Sequence, residues 1–308
     1  MRRILPLLLL LCSCDDRPQE APAAAPAAAP APAPPAELVD SPDFNGHNAY
    51  THCDAICKLG PRYSGSAAYE AQLQLLEKHL HAAGWQTARD TFTAPNGVKM
   101  CNLRAFRSGN PAPLLLSCHI DTKIKVAHDF QSADDGASGA AVLLELARVL
   151  KDERVEIIFL DGEEAFARHM SETDGLYGSK FDVARRGNQL PRWQINLDMV
   201  GGRNKTIAVP SLDTSDFMYA QYQEAVRRLG FSEEKWTVWP GAYLDDHLPY
   251  LEAGVDSLNL IAVFSGSNWW HTPRDNMSRI CPRSLHESGQ MTLQLVQQLL
   301  SAGGADAQ

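Results

Sequence analysis

Several marks of common protein classes are missing from this 308-residue sequence. Lys and Arg number 28 against 37 Asp and Glu, so the formal net charge is -9 and there is no basic footprint for nucleic acid. The sequence has no P-loop, no G-x-G-x-x-G fingerprint and no repeat of solenoid length. It also has no Cys-x-x-Cys pair, which argues against a thiolate zinc site. With 44% hydrophobic residues, the chain can bury one core of roughly 250 residues.

The amino terminus has the pattern of a signal peptide. Two arginines precede a short apolar run, which is too short to span a membrane and ends in small residues. Leu11-Cys12-Ser13-Cys14 resembles a bacterial lipobox, which predicts cleavage before Cys14 and a lipid on that cysteine. We therefore expect a signal peptide over residues 1–13 and an exported protein, lipid-anchored on the periplasmic or cell-surface side of a bacterial membrane. An ordinary secretory signal is the alternative.

An Ala/Pro-rich tract follows, and its composition predicts a semi-rigid extended tether over residues 14–42. The folded domain is expected over residues 43–308. Five cysteines fall in this domain, so at least one thiol must be free, although the sequence does not determine which of them pair. These cysteines are Cys53, Cys57, Cys101, Cys118 and Cys281.

Strand and helix patterns alternate along the folded part. "LLLSCHID", "VEIIFLDGEE", "WQINLDMVG" and "DSLNLIAVF" are apolar runs typical of buried strands, and helical patterns lie between them. A further helical pattern runs from about Asn48 to Gly84. This order predicts an α/β protein, a single three-layer α/β/α domain with a mostly parallel central sheet. The chemistry of such a sheet is expected at the carboxyl ends of its strands.

Side chains that can bind a metal follow each of these strands. Carboxylates that converge on one sheet edge repel one another unless a cation neutralises them. Taken alone, Asp135 could be a plain helix N-cap and His271 a structural histidine. Asp198, by contrast, is flanked by apolar residues and needs a partner or a cation. The candidates are His119, Asp121, Asp134, Asp135, Glu163, Glu164, Asp198, Asp245, Asp246, His247 and His271.

The adjacent pair Glu163 and Glu164 has a simple explanation if a divalent cation binds here. Adjacent residues of a loop can point in different directions, so one carboxylate can bind the metal while the other remains a base. Three ligands drawn from Asp, Glu and His, with one open position, are typical of catalytic zinc. An oxygen-rich set also suits manganese or cobalt.

Taken together, the motifs resemble a known family. "CHIDTK", "ADDGASGAAVLLELARVL", "IIFLDGEEAF", "INLDMVG", "DDHLPYLEAGVDSLNLI" and "WWHTPRDN" occur in this order and are similar to the M28 zinc-peptidase superfamily. Within it, the chain resembles the glutaminyl cyclases from about residue 60 to its end. That resemblance implies metal-dependent cyclisation of the N-terminal glutamine of peptides or proteins to pyroglutamate, with release of ammonia.

The resemblance also implies roles for individual residues. One zinc ion would be held by Asp135, Glu164 and His271. Glu163 would act as general base and acid, and Asp198 and Asp245 would form a hydrogen-bonded carboxylate pair. Lys123 and Trp270 would contribute to substrate binding, with Trp270 as the apolar wall of the pocket.

Two alternatives remain open at this point. An M28 aminopeptidase would use a second zinc ion, for which His119 and Asp198 are the candidate ligands, and a catalytically silent binding protein could use the same scaffold. Lys123 and the tryptophan before His271 resemble cyclases more than peptidases.

The sequence departs from the animal cyclases at two positions. His169 occupies the position where those enzymes carry a further pocket tryptophan. The partner of Cys118 in their active-site disulfide corresponds to about Ala140, so we expect no such disulfide.

Overall fold

The structure is a computed structural model, and it describes residues 44–107, 111–152, 154–264 and 266–305. The predicted signal peptide, the tether and Cys14 lie outside the described residues. Within the described ranges, no helix is both long enough and apolar enough to cross a membrane.

Eight strands of the described chain form one sheet, in the order β1-β2-β4-β3-β5-β8-β6-β7. The central strands β4, β3, β5 and β8 run parallel, which confirms the predicted parallel core of the sheet. The strands are β1 (Gln86–Thr93), β2 (Lys99–Phe106), β3 (Leu114–His119), β4 (Val155–Leu160), β5 (Trp193–Asp198), β6 (Ile207–Pro210), β7 (Trp236–Trp239) and β8 (Asp256–Ala262).

The edges of the sheet make it mixed. β1 and β2 form an antiparallel hairpin that adds to β4, and β6 runs antiparallel to β8 while pairing in parallel with β7. Sequence analysis missed the hairpin, although Asn96-Gly97 between two β-type segments is a strong hairpin signal. No residue of β1 is buried and β2 mixes buried with half-buried residues, so both strands lack the continuous apolar runs that mark the buried strands.

Seven α-helices of the described chain flank the sheet. The single helical stretch expected from Asn48 to Gly84 is wrong, because the chain breaks at Gly60-Pro61 and begins a new helix at the Ser66 N-cap. The helices are α1 (Gly46–Cys57), α2 (Ala67–Ala82), α3 (Gly139–Val149), α4 (Tyr177–Arg186), α5 (Asp216–Leu229), α6 (His247–Glu252) and α7 (Pro282–Ala305).

The helices form two layers, as the α/β/α prediction requires. Leu114 and Leu116 of β3 join the core under α1, α3 and α7, whereas Leu115 joins a smaller core with Tyr250 of α6. Successive side chains of a strand point to opposite faces of its sheet, so both faces of β3 are covered. The single three-layer domain is confirmed. The carboxyl ends of β3, β4, β5 and β8 open at one edge, which is where the candidate residues meet.

Candidate active site

The turn after β4 explains how two adjacent glutamates are held. Gly162 adopts φ +74, and a Cβ at this position would lie 2.7 Å from Met100 Sδ. Asp121 then accepts the backbone N–H groups of both Glu163 (3.1 Å) and Glu164 (3.2 Å), one on each carboxylate oxygen. The two backbone amides are therefore held by one buried carboxylate, which leaves the two glutamate side chains free for separate tasks.

A second loop, before α3, presents Asp135 in a similar way. Asp135 has ψ 91 and Gly136 has φ +97, so the chain kinks before α3 begins. Asp275 accepts the N–H groups of Asp134 (2.8 Å) and Asp135 (3.1 Å). The N-cap reading of Asp135 is wrong, because Ser138 occupies that position and the Asp135 side chain points into the site.

Asp135, Glu164 and His271 form the first of two candidate metal centres. His271 Nε2 lies 2.9 Å from Glu164 Oε1 and 3.3 Å from Asp135 Oδ2. Across the three residues, the candidate ligand atoms all lie within 4.8 Å of one another. His271 adopts φ +51, a left-handed conformation that is uncommon for a non-glycine residue and often found at functional sites.

His119, Asp135 and Asp198 form the second centre by the same criterion. His119 Nε2 lies 3.1 Å from Asp135 Oδ1 and 3.3 Å from Asp198 Oδ1. Asp135 thus faces both histidines with its two oxygens, in the position of a bridging carboxylate. The structure brings together both the ligands expected for one metal and the candidates for a second.

The pKa shifts at the two centres favour a positive charge between their ligands. Burial opposes protonation of His271, but the facing carboxylates of Asp135 and Glu164 outweigh it and raise the pKa of His271 to about 10. Burial alone would raise the pKa of Asp135, yet the two facing histidines, His119 and His271, lower it. Asp135 Oδ2 is also buried, and although His271 Nε2 lies 3.3 Å away, the two atoms do not form a well-directed hydrogen bond. A divalent cation would bind Asp135 Oδ2 and would supply the positive charge that protonated His271 supplies in its absence.

Glu163 is placed to act as a base. It is 8% exposed and lines a cavity of about 220 Å³ together with Asp135, Glu164, Asp198 and His271. Burial raises the pKa of Glu163 well above its usual range, and the Glu164 and Asp245 charges act in the same direction while His119 opposes them. A carboxylate with a raised pKa is suited to moving protons near neutral pH.

Lys123 lines the same cavity, but its ammonium group is already engaged. Lys123 Nζ donates to the Ala165 carbonyl (2.6 Å) and lies 3.4 Å from Glu164 Oε2. It therefore supports the Glu164 side chain and its loop, and direct contact with a substrate remains a prediction.

Asp198 and Asp245 both line the cavity, but no hydrogen bond joins them in the described chain. A hydrogen bond between the two carboxyl groups requires a proton on one of them, so the expected pair stays a prediction. Asp245 accepts from Asn196 Nδ2 (3.1 Å) and Asn259 Nδ2 (2.7 Å), whereas Asp198 faces His119. Burial raises the pKa of Asp198 to about 8 against the hydrogen bond with His119, and the Asp245 charge adds to this rise.

Three other candidates serve the structure around the site. Asp134 accepts the Gly201 N–H (2.8 Å), Asp246 accepts the Ser179 hydroxyl (2.5 Å), and His247 Nε2 lies 3.2 Å from Asp213. None of these three lines the cavity.

The two tryptophans before His271 have different environments. Trp269 is buried and stacks on the Arg279 guanidinium at 3.8 Å, so it is a core residue. Trp270 is 37% exposed, lines the cavity and stacks on His271 with ring centroids 3.9 Å apart. His169 lines the cavity as well, and Cys118 is a buried free thiol.

Sequence analysis missed part of the cavity wall. The sequence offered only one indication of these residues: Tyr243 and Leu244 directly precede the "DDH" motif. They lie in a loop whose sequence shows no pattern of its own. The missed lining residues are Arg168, Met170, Met199, Tyr243, Leu244, Ile261 and Phe264.

Comparison with known proteins gives consistent results. Residues 103–296 match the model of peptidase family M28. The glutaminyl-peptide cyclotransferase of Boiga dendrophila is 30% identical over 264 residues, which cover 70% of this chain and 71% of that protein. The Bos taurus glutaminyl-peptide cyclotransferase-like protein is also 30% identical, and the chain spans 63% of its length.

Solved structures show the same relationship. Glutaminyl cyclase from Porphyromonas gingivalis superposes with a TM-score of 0.74 at 29% identity, covering 84% of this chain and all of that one. A Zn-dependent exopeptidase from Parabacteroides distasonis also has a TM-score of 0.74, at 28% identity, covering 83% of this chain and 99% of that one.

The chain therefore belongs to peptidase family M28. Within that family it belongs with the glutaminyl-peptide cyclotransferases, and it is an enzyme of that kind.

Proposed function

We propose that this enzyme cyclises the N-terminal glutamine of peptides or proteins to pyroglutamate, with release of ammonia, and that it requires one zinc ion. One arrangement carries this proposal: Glu163, which is not among the candidate ligands, shares a small cavity with the Asp135, Glu164 and His271 centre, and Trp270 forms part of the wall. The related cyclotransferases in sequence and structure support the same reaction.

The residues present fit zinc at the first centre. Asp135, Glu164 and His271 would hold it, two oxygen donors and one nitrogen donor that leave a position open for substrate. Bound there, zinc would act as a Lewis acid on the side-chain carbonyl of the glutamine. Two neighbouring residues would hold these ligands in position, because Lys123 faces Glu164 and Asp275 accepts the backbone N–H of Asp135.

The protein's own groups would carry the proton transfers. Glu163 takes a proton from the substrate's α-amine, whose nitrogen attacks the side-chain amide carbon and closes the ring. Glu163 then returns the proton to the departing amide nitrogen, the C–N bond breaks and ammonia leaves. No water is consumed. Asp198, whose pKa burial raises to about 8, can hold a proton at neutral pH and donate a hydrogen bond to the amide.

A second candidate function follows from the second centre. His119, Asp135 and Asp198 could hold another metal ion, as an M28 aminopeptidase would require. Glu163 would then activate a water molecule against a peptide bond. The similarity to a Zn-dependent exopeptidase fits this alternative as well.

The deciding experiment compares two peptides that differ in their first residue, one starting with Gln and one with Leu. Ammonia release and product mass are followed with zinc-loaded protein. Cyclisation predicts that only the Gln peptide reacts, losing one ammonia and keeping its full length. Release of a free N-terminal residue from the Leu peptide would instead establish the aminopeptidase.

We also propose that the enzyme is exported and held at a bacterial membrane through a lipid on Cys14. Only the N-terminal sequence supports this proposal. Phase partitioning of the wild-type protein and of a Cys14→Ser variant would test it, and equal partitioning of both into the aqueous phase would refute it.

A further inference from the structure

A row of buried polar side chains crosses the centre of the sheet. Ser117 of β3 pairs in register with Asn196 of β5, which pairs in register with Asn259 of β8. Each of the three residues is at most 1% exposed. Ser117 and Asn196 precede His119 and Asp198 by two positions, so they lie on the same face of the sheet as these candidate ligands. We call Ser117, Asn196 and Asn259 the polar row.

Hydrogen bonds fix the orientation of the side chains in the polar row. Gln194 Nε2 donates to Ser117 Oγ (2.9 Å), and Ser117 Oγ donates to Asn196 Oδ1 (2.7 Å). Asn196 Nδ2 in turn donates to Asn259 Oδ1 (3.2 Å). Because the amide oxygen of each asparagine accepts a hydrogen bond within the row, its NH₂ group is the end that faces Asp245. A connected chain of hydrogen bonds holds each amide in one orientation.

The polar row ends on Asp245, which lines the cavity. Asn196 Nδ2 donates to Asp245 Oδ1 (3.1 Å) and Asn259 Nδ2 donates to Asp245 Oδ2 (2.7 Å), so each carboxylate oxygen receives one amide donor. The backbone N–H of Asp246 is a second donor to Oδ1 (2.5 Å). An ionised carboxylate offers about four acceptor positions, so these donors leave about one of them, on Oδ2.

We infer that the polar row positions Asp245 for the reaction: Asn196 and Asn259 hold the plane of its carboxylate, so that the remaining acceptor position on Oδ2 is presented to the reacting groups. This inference rests on the proposed function, in which the reaction takes place in the cavity that Asp245 lines. The torsion about the Cβ–Cγ bond of an aspartate has broad preferences, so rotamer preference alone does not fix the carboxylate plane. Neither asparagine lines the cavity, so both act through Asp245.

Stability alone gives no reason for a polar row on this face of the sheet. Leu115 lies on the same face of β3 as Ser117 and packs in an apolar core that includes Ile158 and Tyr250. Apolar side chains would extend that core, and replacing both partners of a buried hydrogen bond with apolar groups of the same shape is often nearly neutral. The two asparagines and the serine are explained by the carboxylate that they hold.

The test measures kcat and KM for a Gln-initiated peptide with the zinc-loaded full chain, and zinc content and Tm on the same samples. Asn196→Leu and Asn259→Leu each remove one amide donor while nearly keeping the side-chain shape. We expect each to lower kcat about 10- to 100-fold with KM and zinc content near wild type, because a misplaced reacting group lowers kcat without changing ground-state binding. Thr292→Val is the control, since it removes a buried hydroxyl that donates to the Ser288 carbonyl within α7, and kcat should stay at the wild-type value.

A double variant separates positioning from stability. Asn196→Leu leaves the Ser117 hydroxyl without its acceptor, whereas Ser117→Ala/Asn196→Leu removes both partners of that hydrogen bond. The double variant should therefore regain part of the lost Tm but keep the low kcat. Ser117→Ala alone, which leaves the Asn196 amide unfixed, should lower kcat by a smaller factor, and it serves as the test if the leucine variants do not fold.

The outcomes separate the inference from the reaction on which it rests. Wild-type kcat in the single variants, or recovery of kcat together with Tm in the double variant, would overturn the inference and leave cyclisation established. Loss of zinc in parallel with kcat would also overturn it, because the polar row would then support the metal centre instead. If the wild-type protein releases no ammonia from the Gln peptide, the proposed function is refuted, and the inference with it.

Discussion

Asp275 holds the loop that carries Asp135, a candidate ligand of both centres, and replacing Asp275 with asparagine tests how far the proposed metal binding depends on that support. The Asp275 carboxylate is completely buried and accepts the backbone N–H groups of both Asp134 and Asp135. An asparagine of nearly the same shape keeps one carbonyl oxygen for one of these donors. Its NH₂ group would face the other N–H, leaving one buried donor without an acceptor.

The expected loss follows from these two hydrogen bonds. A hydrogen bond to a charged group contributes about 1.5 to 3 kcal/mol, and leaving a buried donor unpaired costs about 1 to 3 kcal/mol. Part of this cost lowers overall stability, and part appears as a displaced Asp135. Since changes in residues that orient metal ligands typically weaken metal binding by about 10- to 100-fold, we expect a loss of that size for zinc in Asp275→Asn.

The assay is competition for zinc between the metal-free full chain and a chromophoric chelator, with Tm measured on the same samples. The cobalt-substituted protein adds a spectroscopic report on ligand geometry. Asp174→Asn is the matched control, because Asp174 likewise accepts two consecutive N–H groups, those of Phe166 and Ala167, but holds no candidate ligand. If both variants lost stability while keeping wild-type zinc affinity, Asp275 would have a purely structural role and the reasoning would be refuted.

Three further predictions concern separate parts of the molecule. Glu163→Gln should abolish turnover of a Gln peptide while the protein retains its metal, because the amide cannot take up the proton; metal analysis and ammonia release check this. Burial, reinforced by His79, lowers the pKa of His52 to about 4, below its usual value of about 6.5. The unfolded chain thus binds this proton first, so unfolding free energy present above pH 6.5 is lost as the pH falls towards 4, and His52→Gln should reduce that loss in urea titrations. Finally, with Cys12 and Cys14 replaced by serine, alkylation should modify Cys101 first, because it is partly exposed and the other free thiols of the described chain are buried.

Each of these predictions has a control and a contradicting outcome. Glu164→Gln should lose both metal and turnover, and a Glu163→Gln enzyme of near-normal rate would exclude Glu163 as the base. An equally steep loss of stability in His52→Gln would assign the acid sensitivity to other groups. For the thiols, peptide mapping after labelling in denaturant should recover all sites, and early labelling of Cys118 in the native protein would contradict its burial.

Local sequence was sufficient to predict the strands that carry the site and the edge of the sheet at which it lies. Four apolar runs predicted the central strands, because strands covered on both faces consist of nearly continuous apolar residues. The end of each strand then indicated which polar residues would meet at one edge of the sheet. The β1–β2 hairpin lacks that pattern, and the break between α1 and α2 was overlooked although Gly60-Pro61 marks it.

Local sequence does not distinguish the members of an adjacent pair. Asp134 and Asp135 have the same side chain, and so do Glu163 and Glu164. Their roles were assigned from the resemblance to a family, because the neighbouring sequence does not distinguish them. In the structure, Asp135 and Glu164 face His271, whereas Asp134 turns to the Gly201 N–H. Glu163 remains in the cavity beside them.

The sequence by itself thus determined the strands, the edge at which they end and the kinds of side chain found there. The direction of each side chain was decided only by the tertiary structure. Backbone dihedral angles set that direction, and distant carboxylates hold them in place: Asp121 binds the Glu163–Glu164 turn from 42 residues away along the chain, and Asp275 binds Asp135 from 140 residues away. Hydrogen bonds over such separations exist only once the sheet has assembled and brought the ends of its strands together.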